Sequence, residues 1–331
     1  MANCNDVAKY ANVSRQTVSR VINNSGYVSA QARERVLDAI EKLNYYPNTA
    51  ARSLKSTKSK SIGLIIPDPY NDFYIKISNY LQKKLNDMNY SLLILFSDED
   101  TQTEEKCLST LIEHRVELLL FTPTSANKKF LQLLKSYNIK IIQLFRYLYD
   151  SFTSITIDDE YGSYLAAASL LKQGHRRLLL IEEMHSFDSL RLQGLKRALL
   201  EFDVPFCPEM YLPSPKDSTG IETIKSVLLK YRPTAVIAVA KPIEISFIRA
   251  ITELKYEVNK DVSVIFYDDN EIADIFNISV VTHNFDNITD TIVHAITECL
   301  TGDPKNPHIV LTPFLLNKTG STYEARRPLI I

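Results

Sequence analysis

Asp6-Val7-Ala8-Lys9-Tyr10-Ala11-Asn12-Val13-Ser14-Arg15-Gln16-Thr17-Val18-Ser19-Arg20-Val21-Ile22-Asn23-Asn24 is the stretch on which the reading of this chain turns. Val7, Ala8 and Ala11 cluster on one face of a short helical run, and Asn12 is suited to end it. Ser14 is suited to N-cap a second helix, in which Val18, Val21 and Ile22 fall at i, i+3 and i+4 and face inward. Arg15, Gln16, Ser19 and Arg20 are left on the opposite side. Two short helices this close together, the second with Arg and Gln outward, describe a helix-turn-helix. A major groove accepts one helix, where Arg can bond guanine bidentately and Gln adenine, each pair discriminating between bases by about 1–3 kcal/mol. An ordinary amphipathic helix with a charged outer face would account for the second helix alone. It would not account for the spacing together with the charge distribution that surrounds it.

That distribution is uneven. Residues 1–60 hold ten Lys/Arg against four acids, an excess of six, so a chain of net charge −1 has a body of −7. A basic head on an acidic body points to a polyanion-binding module attached to something that does not touch the polyanion. Ser29 is a further N-cap candidate, opening a third helix whose inward stripe is Ala32, Val36, Ala39/Ile40 and Leu43. Pro47 prevents that helix from continuing past Tyr45-Tyr46. Asn48 to Lys55 is helix-compatible but shorter than the roughly 12–15 residues that an isolated helix needs in water, so it is expected to fold conditionally. The polar, basic run Ser56-Thr57-Lys58-Ser59-Lys60 then reads as a linker.

From Ser61 onward, apolar runs alternate with helical patterns. The runs are Ile62–Ile66, Leu92–Phe96, Leu118–Phe121, Ile141–Phe145, Leu178–Ile181, Ala235–Val239 and Val262–Tyr267. The helices include Phe73–Met88, Thr103–Arg115, Tyr161–Gln173 and Leu190–Phe202. Such alternation implies parallel sheets covered on both faces, and a body of this length suits two lobes better than one sheet. With 331 residues, two or three compact units are expected. No run approaches the roughly 18 apolar residues of a membrane span, and Met1-Ala2-Asn3-Cys4 does not open a secretory signal, so no membrane association and a cytoplasmic location are expected. The scattered Cys4, Cys107, Cys207 and Cys299 read as reduced thiols. Eight glycines form neither a GxxxxGK[ST] loop nor a GxGxxG fingerprint, and neither HExxH nor GxSxG is present. No enzyme, no metal and no cofactor is therefore expected.

The opening stretch, with Gly26-Tyr27-Val28-Ser29 and Asn44 to Leu54, closely resembles the headpiece of the lactose/galactose repressor family. The resemblance runs on to about Pro328 through Ser61 to Asp68, Asn71 to Tyr74, Arg115 to Leu120, Gln173 to Arg177, Arg191 to Gly194, Arg232 to Ala235 and Tyr267 to Asp269, which match that family's effector core. It implies an all-α helix-turn-helix headpiece on an α/β two-lobed periplasmic-binding-protein-like core of parallel sheets, whose cleft lies at the carboxyl ends of the strands. It also implies that Arg15, Gln16 and Arg20 read bases, that Ser14, Thr17, Ser19, Asn23 and Tyr27 mainly contact phosphates, and that Asn5 adds a contact from the first helix. Within the hinge from Asn48 to Lys55, Leu54 would wedge a base step of the minor groove and Ala51 would be the small residue at the pairing contact. On the sequence alone, Leu54 is equally a buried linker residue.

In the core, the resemblance implies Phe73 and Tyr74 as an aromatic wall, Asp158 and Arg191 as polar anchors and Asp268 as acceptor for ligand hydroxyls or amines, although Phe73 and Tyr74 suit a core as well. Two departures stand out: Ala240-Lys241 where the family often has Asn-Asp, and Phe145-Arg146 where an aspartate commonly ends the fourth strand. Extra cations near the cleft lead us to expect an anionic effector, a sugar acid or sugar phosphate, with Arg146, Arg191 and Lys241 as counter-charges. The expected organisation is a headpiece over 1–46, a hinge over 47–60 and a core over 61–331. Its N-lobe is placed at about 61–159 and 288–318, its C-lobe at about 160–287 and 319–331. The whole is expected to act as a homodimeric, effector-controlled transcriptional regulator on a pseudo-palindromic double-stranded operator. A ligand-blind core that answers to a protein partner is the alternative.

Overall fold

The computed structural model describes residues 2–22, 25–45, 59–124, 133–134, 136–137, 139–183, 189–214, 218–302 and 307–318. They fall into two compact units, Met1–Ser59 and Lys60–Ile331. In the first, α1 (Cys4–Tyr10), α2 (Arg15–Ile22) and α3 (Ala30–Lys42) enclose a small core of Val7, Ala8, Ala11, Val18, Val21, Val36 and Ala39. Each start is capped. Asn3 and Asp6 form a reciprocal capping box, the Ser14 hydroxyl accepts from the Thr17 N–H at 3.1 Å, and Ser29 accepts from Ala32. Asn12 leaves α1 with φ 50, the left-handed conformation that lets the chain turn into α2.

The second unit is built on two six-stranded sheets. The first holds β1 (Ser61–Ile66), β2 (Ser91–Phe96), β3 (Leu118–Phe121), β4 (Lys140–Leu144), β5 (Thr153–Ile157) and β11 (His308–Leu311), in the order β11-β5-β4-β3-β1-β2. The second holds β6 (Leu178–Glu183), β7 (Tyr211–Ser214), β8 (Ala235–Ala238), β9 (Ser263–Tyr267), β10 (Ser279–Thr282) and β12 (Phe314–Leu316), in the order β12-β10-β9-β8-β6-β7. Central strands such as Leu118–Phe121 and Ala235–Ala238 are buried throughout, which is why they read as unbroken apolar runs. Among the described residues, all strand pairings are parallel except β10 with β12.

The chain passes between the sheets after β5, after β10 and again between β11 and β12. The expected N-lobe segment 288–318 is thereby corrected at its far end. His308–Leu311 pair with Ser154–Ile157 in the first sheet, whereas Phe314–Leu316 pair antiparallel with Val280–Thr282 in the second. The change of sheet falls at Thr312-Pro313, between β11 and β12. The expected second C-lobe segment, 319–331, lies outside the described residues, as does Pro47 and the hinge from Asn48 to Lys55.

Helices α4 (Asp72–Asp87), α5 (Thr101–Glu113) and α11 (Phe285–Thr301) cover the first sheet. Helices α6 (Asp159–Lys172), α7 (Leu190–Glu201), α8 (Ser218–Tyr231), α9 (Lys241–Glu253) and α10 (Glu271–Ile275) cover the second. Among these, α6 and α7 cross unusually closely. A Cβ on Gly194 would stand 2.0 Å from the Glu160 carbonyl oxygen, so glycine is the residue that admits the approach. That crossing brings the N-termini of the two helices, and with them Asp159 and Arg191, to the same edge of the sheet.

Candidate functional site

On α2 the division foreseen from the helical period is what the structure has. Val18 and Val21 are buried, while Ser14, Arg15, Gln16, Ser19 and Arg20 are exposed and Thr17 is half-buried. Ser14 has a local task as well, since its hydroxyl lies 2.9 Å from that of Thr17 while capping the helix. Arg20 extends over the turn at Gly26, whose Cβ position would lie 3.5 Å from the Arg20 Nε. Gly26 has φ 70, a conformation costly for any side chain, and next to it Tyr27 is 88% exposed. Asn5 is exposed on α1. Arg15, Gln16 and Arg20 thus share an outward surface at and beyond the start of a helix, the geometry in which side chains reach base edges. Asn23, Asn48, Ala51, Leu54 and Lys55 lie outside the described residues.

In the second unit, a cavity of about 480 Å³ opens where the carboxyl ends of both sheets' strands meet. Phe73, Tyr74, Arg191 and Asp268, which the resemblance implied, line it, and so does Arg146, expected from the departure at the fourth strand. Phe73 serves the core and the wall together: it is 8% exposed and belongs to the first-sheet core, yet its ring faces the cavity. Around it, Phe145 at 4.8 Å, His283 at 5.2 Å and Tyr74 at 5.6 Å pack edge to face. Burial pushes the Tyr74 hydroxyl up to about 12, so it stays protonated.

Three residues just past strand ends, Phe145 (φ 65), Ala240 (φ 75) and Asp268 (φ 67), have positive φ without being glycine, a strain that clusters at this rim. Gln143, fully buried, holds the loop behind Phe145. Its Nε2 donates to the Tyr149 carbonyl and to Ser154 Oγ, both at 2.7 Å, while its Oε1 accepts from the N–H groups of Leu148 and Tyr149.

Two expected anchors fall elsewhere. Asp158 is the N-cap of α6, its carboxylate accepting from the Tyr161 N–H at 2.9 Å; the next residue, Asp159, is the one that faces the cavity. A helix start turns successive side chains by about 100°, and here the Asp158 carboxylate turns back to the helix N-terminus while that of Asp159 turns to the cavity. Lys241 is absent from the lining. Its ammonium bonds Asp72 at 2.8 Å and Glu271 at 3.5 Å, tying α9 of one lobe to α4 of the other, and the Asp72 bond raises its pKa.

The two guanidiniums expected as counter-charges to an anionic effector already have carboxylate partners within the protein. Arg146 is clamped bidentately by Glu99 at 2.6 and 2.9 Å. Arg191 bonds Asp159 at 3.0 Å and stands 3.6 Å from Glu182, which is 2% exposed. Burial opposes charge on both guanidiniums, yet the neighbouring carboxylates outweigh it and both pKa values are raised. Glu99, Asp159 and Glu182 were passed over in the sequence, although Glu182 and Asp159 each lie at the carboxyl end of a strand or just beyond one, where ligands of open α/β sheets bind.

Comparison with known proteins supplies the rest. Residues 3–48 match the profile of the bacterial regulatory proteins of the lacI family, and residues 59–275 that of the periplasmic binding proteins and sugar binding domain of the LacI family. The chain belongs to the LacI family. Among its LacI-family relatives, the HTH-type transcriptional regulator RegA of Clostridium saccharobutylicum is 33% identical over 84% of this chain and 85% of its own length. The ribose operon repressor of Haemophilus influenzae is 32% identical over 82% and 83%. The HTH-type transcriptional repressor PurR of Aliivibrio fischeri is 30% identical over 85% and 86%.

Two solved structures share the fold. The lac repressor dimer bound to operator and the anti-inducer ONPF matches with a TM-score of 0.81 at 23% identity, covering 97% of this chain and 99% of that one. The CelR–cellobiose complex matches with a TM-score of 0.70 at 22% identity, covering 96% and 99%. This LacI-family chain is therefore a DNA-binding transcriptional regulator with a sugar-binding-type core, of a family of regulators and not of enzymes. Among the described residues, no helix is long and apolar enough to cross a membrane, and no cluster of His, Cys, Asp and Glu could hold a metal ion.

Proposed function

We propose that this LacI-family chain is a homodimeric repressor whose operator affinity is set by a small molecule held between the two lobes of its core. The observation that carries the proposal is the cavity itself, about 480 Å³ at the strand ends of both sheets, in a chain that also presents Arg15, Gln16 and Arg20 on an outward helix face. A cleft of this size falls within the range of small-molecule sites, which favours a ligand-binding core over a ligand-blind one. Two headpieces in one dimer bind half-sites of a pseudo-palindrome, Arg15, Gln16 and Arg20 reading bases while Ser14, Thr17, Ser19, Asn23 and Tyr27 hold phosphates and Asn5 adds a contact from α1. The hinge from Asn48 to Lys55 folds on the minor groove, with Leu54 as the wedge and Ala51 at the pairing contact.

The core supplies the switch. A ligand contacting both lobes favours one lobe arrangement and shifts operator affinity only by its differential binding to the two. Lys241–Asp72 and the bond that Lys76 Nζ donates to the Asp269 carbonyl join the lobes and are contacts that such a change would break. Release of DNA on ligand binding is the polarity we adopt.

Selection of bound duplexes from a random pool tests the DNA side, with a two-fold symmetric motif as the expected result. Operator titrations repeated with candidate ligands test the core. An operator affinity that no tight-binding core ligand alters would refute the switch.

A further inference from the structure

The electrostatics of the cleft restrict what can enter it. Among the described residues, the carboxylates of Glu99, Asp159, Glu182 and Asp268 line the cavity against the guanidiniums of Arg146 and Arg191, a negative balance that does not draw on Asp68 or Glu183, which line it too. Both guanidiniums are already bonded to carboxylates of their own lobe, so neither offers an uncompensated positive charge to a ligand. Widening the boundary to the mouth leaves the sign unchanged, because Lys76, Lys241 and Lys318 there are accompanied by Asp72, Asp269, Glu271 and Asp274. An anion would have to be desolvated into surplus negative charge, whereas a cation relieves it.

Asp268 is where that surplus is best placed to be used. The positive φ at the end of β9 puts it on the cavity wall, and its Oδ1 is buried without a hydrogen bond, with His283 Nε2 at 3.3 Å. Beside it stands the aromatic cluster of Phe73, Tyr74, Phe145 and His283. Ring faces attract cations and also stack on the apolar faces of sugars, so the wall suits a molecule with both features.

We infer that the effector is a compact hydroxylated amine, of amino-sugar type, whose protonated nitrogen is held by Asp268 and whose apolar face rests on Phe73 and Phe145. The inference rests on the reading of the cleft as the effector site. Calorimetric titration of the full chain with D-glucosamine, D-galactosamine and D-mannosamine, each beside its neutral parent hexose, and with gluconate and glucose 6-phosphate as anions, tests it. At least one amino sugar should bind tighter than its parent by about ten-fold or more, as a charge-assisted bond implies, and the anions should not bind.

In Asp268→Asn that preference should fall several-fold while the unliganded melting temperature is kept, and Asp268→Glu should restore part of it. A neutral hexose or an anion that binds as tightly as the amines overturns the inference, and so does a panel in which no amino sugar binds. If the tight neutral or anionic ligand also shifts operator affinity, the effector-switch reading survives and only the amine assignment falls. If operator affinity ignores a ligand bound in the cleft, both fall.

Discussion

Gly194→Ala is the sharpest test of how the cleft is assembled. A Cβ at this position would lie 2.0 Å from the Glu160 carbonyl oxygen and 2.9 Å from the Tyr164 nitrogen, both backbone atoms, where contacts below 3.0 Å are essentially never found. No rotamer change can relieve the clash, so α7 must move off α6 by about 1 Å in an interior packed at crystal density. Overpacking of this kind costs about 1–3 kcal/mol. At roughly 2–4 °C per kcal/mol for a unit of this size, the core should melt about 5 °C lower.

A second effect follows from position. Arg191 stands one turn before Gly194 on α7, and Asp159 precedes Glu160 on α6, so the same movement lengthens their 3.0 Å bond and loosens the cavity wall. Thermal unfolding by circular dichroism measures the first effect and ligand titration the second. Gly302→Ala is the matched control, because a Cβ there meets nothing nearer than the Glu298 carbonyl oxygen at 3.7 Å. If Gly194→Ala melts within about 1 °C of the parent chain, or if Gly302→Ala falls as far, the packing argument is wrong.

Alanine at Arg15 or Gln16 should weaken operator binding by about 1–3 kcal/mol and relax the base preference at one position, with no loss of helix content because both side chains are exposed. Anisotropy at fixed salt against a scrambled duplex checks this, and undiminished selectivity would remove the residue from the reading face. Ser14→Ala removes the cap of α2 and should destabilise the headpiece by about 1 kcal/mol, whereas Ser14→Asp should not; equal melting of the two would deny the cap.

Glu244 is buried and its carboxyl is raised well above 4.5 by burial, so the native state holds a proton that the unfolded chain gives up near 4.5. Stability should then fall as pH rises from about 4.5 toward the raised folded value, and Glu244→Gln, which can still accept from Asn270 Nδ2, should flatten that slope in urea melts taken across pH. A steeper slope in the variant would contradict the assignment. Lys241→Ala breaks a half-exposed bond between lobes worth at most about 1 kcal/mol, so ligand affinity should change by no more than about five-fold although the residue does not line the cavity. A complete loss of binding would place Lys241 at the ligand after all.

What could be read from the chain alone is whatever depends on neighbours within a few residues. The period that buries Val18 and Val21 and turns out Arg15, Gln16 and Arg20 is a property of one helix, and Ser14 caps it through atoms three residues away. Runs such as Leu118–Phe121 and Ala235–Ala238 announce strands because both faces of a parallel sheet are covered. Thr153–Ile157 does not read as a strand because three of its five buried residues are Thr or Ser, and Tyr211–Ser214 does not because it is short and carries Pro213 at a sheet edge. Only the tertiary structure decided that Phe314–Leu316 returns to the second sheet, that Asp159 and not Asp158 faces the cavity, and that Arg146 and Arg191 are already answered by Glu99, Asp159 and Glu182. Charge in a cleft is a sum over groups from distant parts of the chain. A sequence lists those groups but does not say which of them are near enough to cancel.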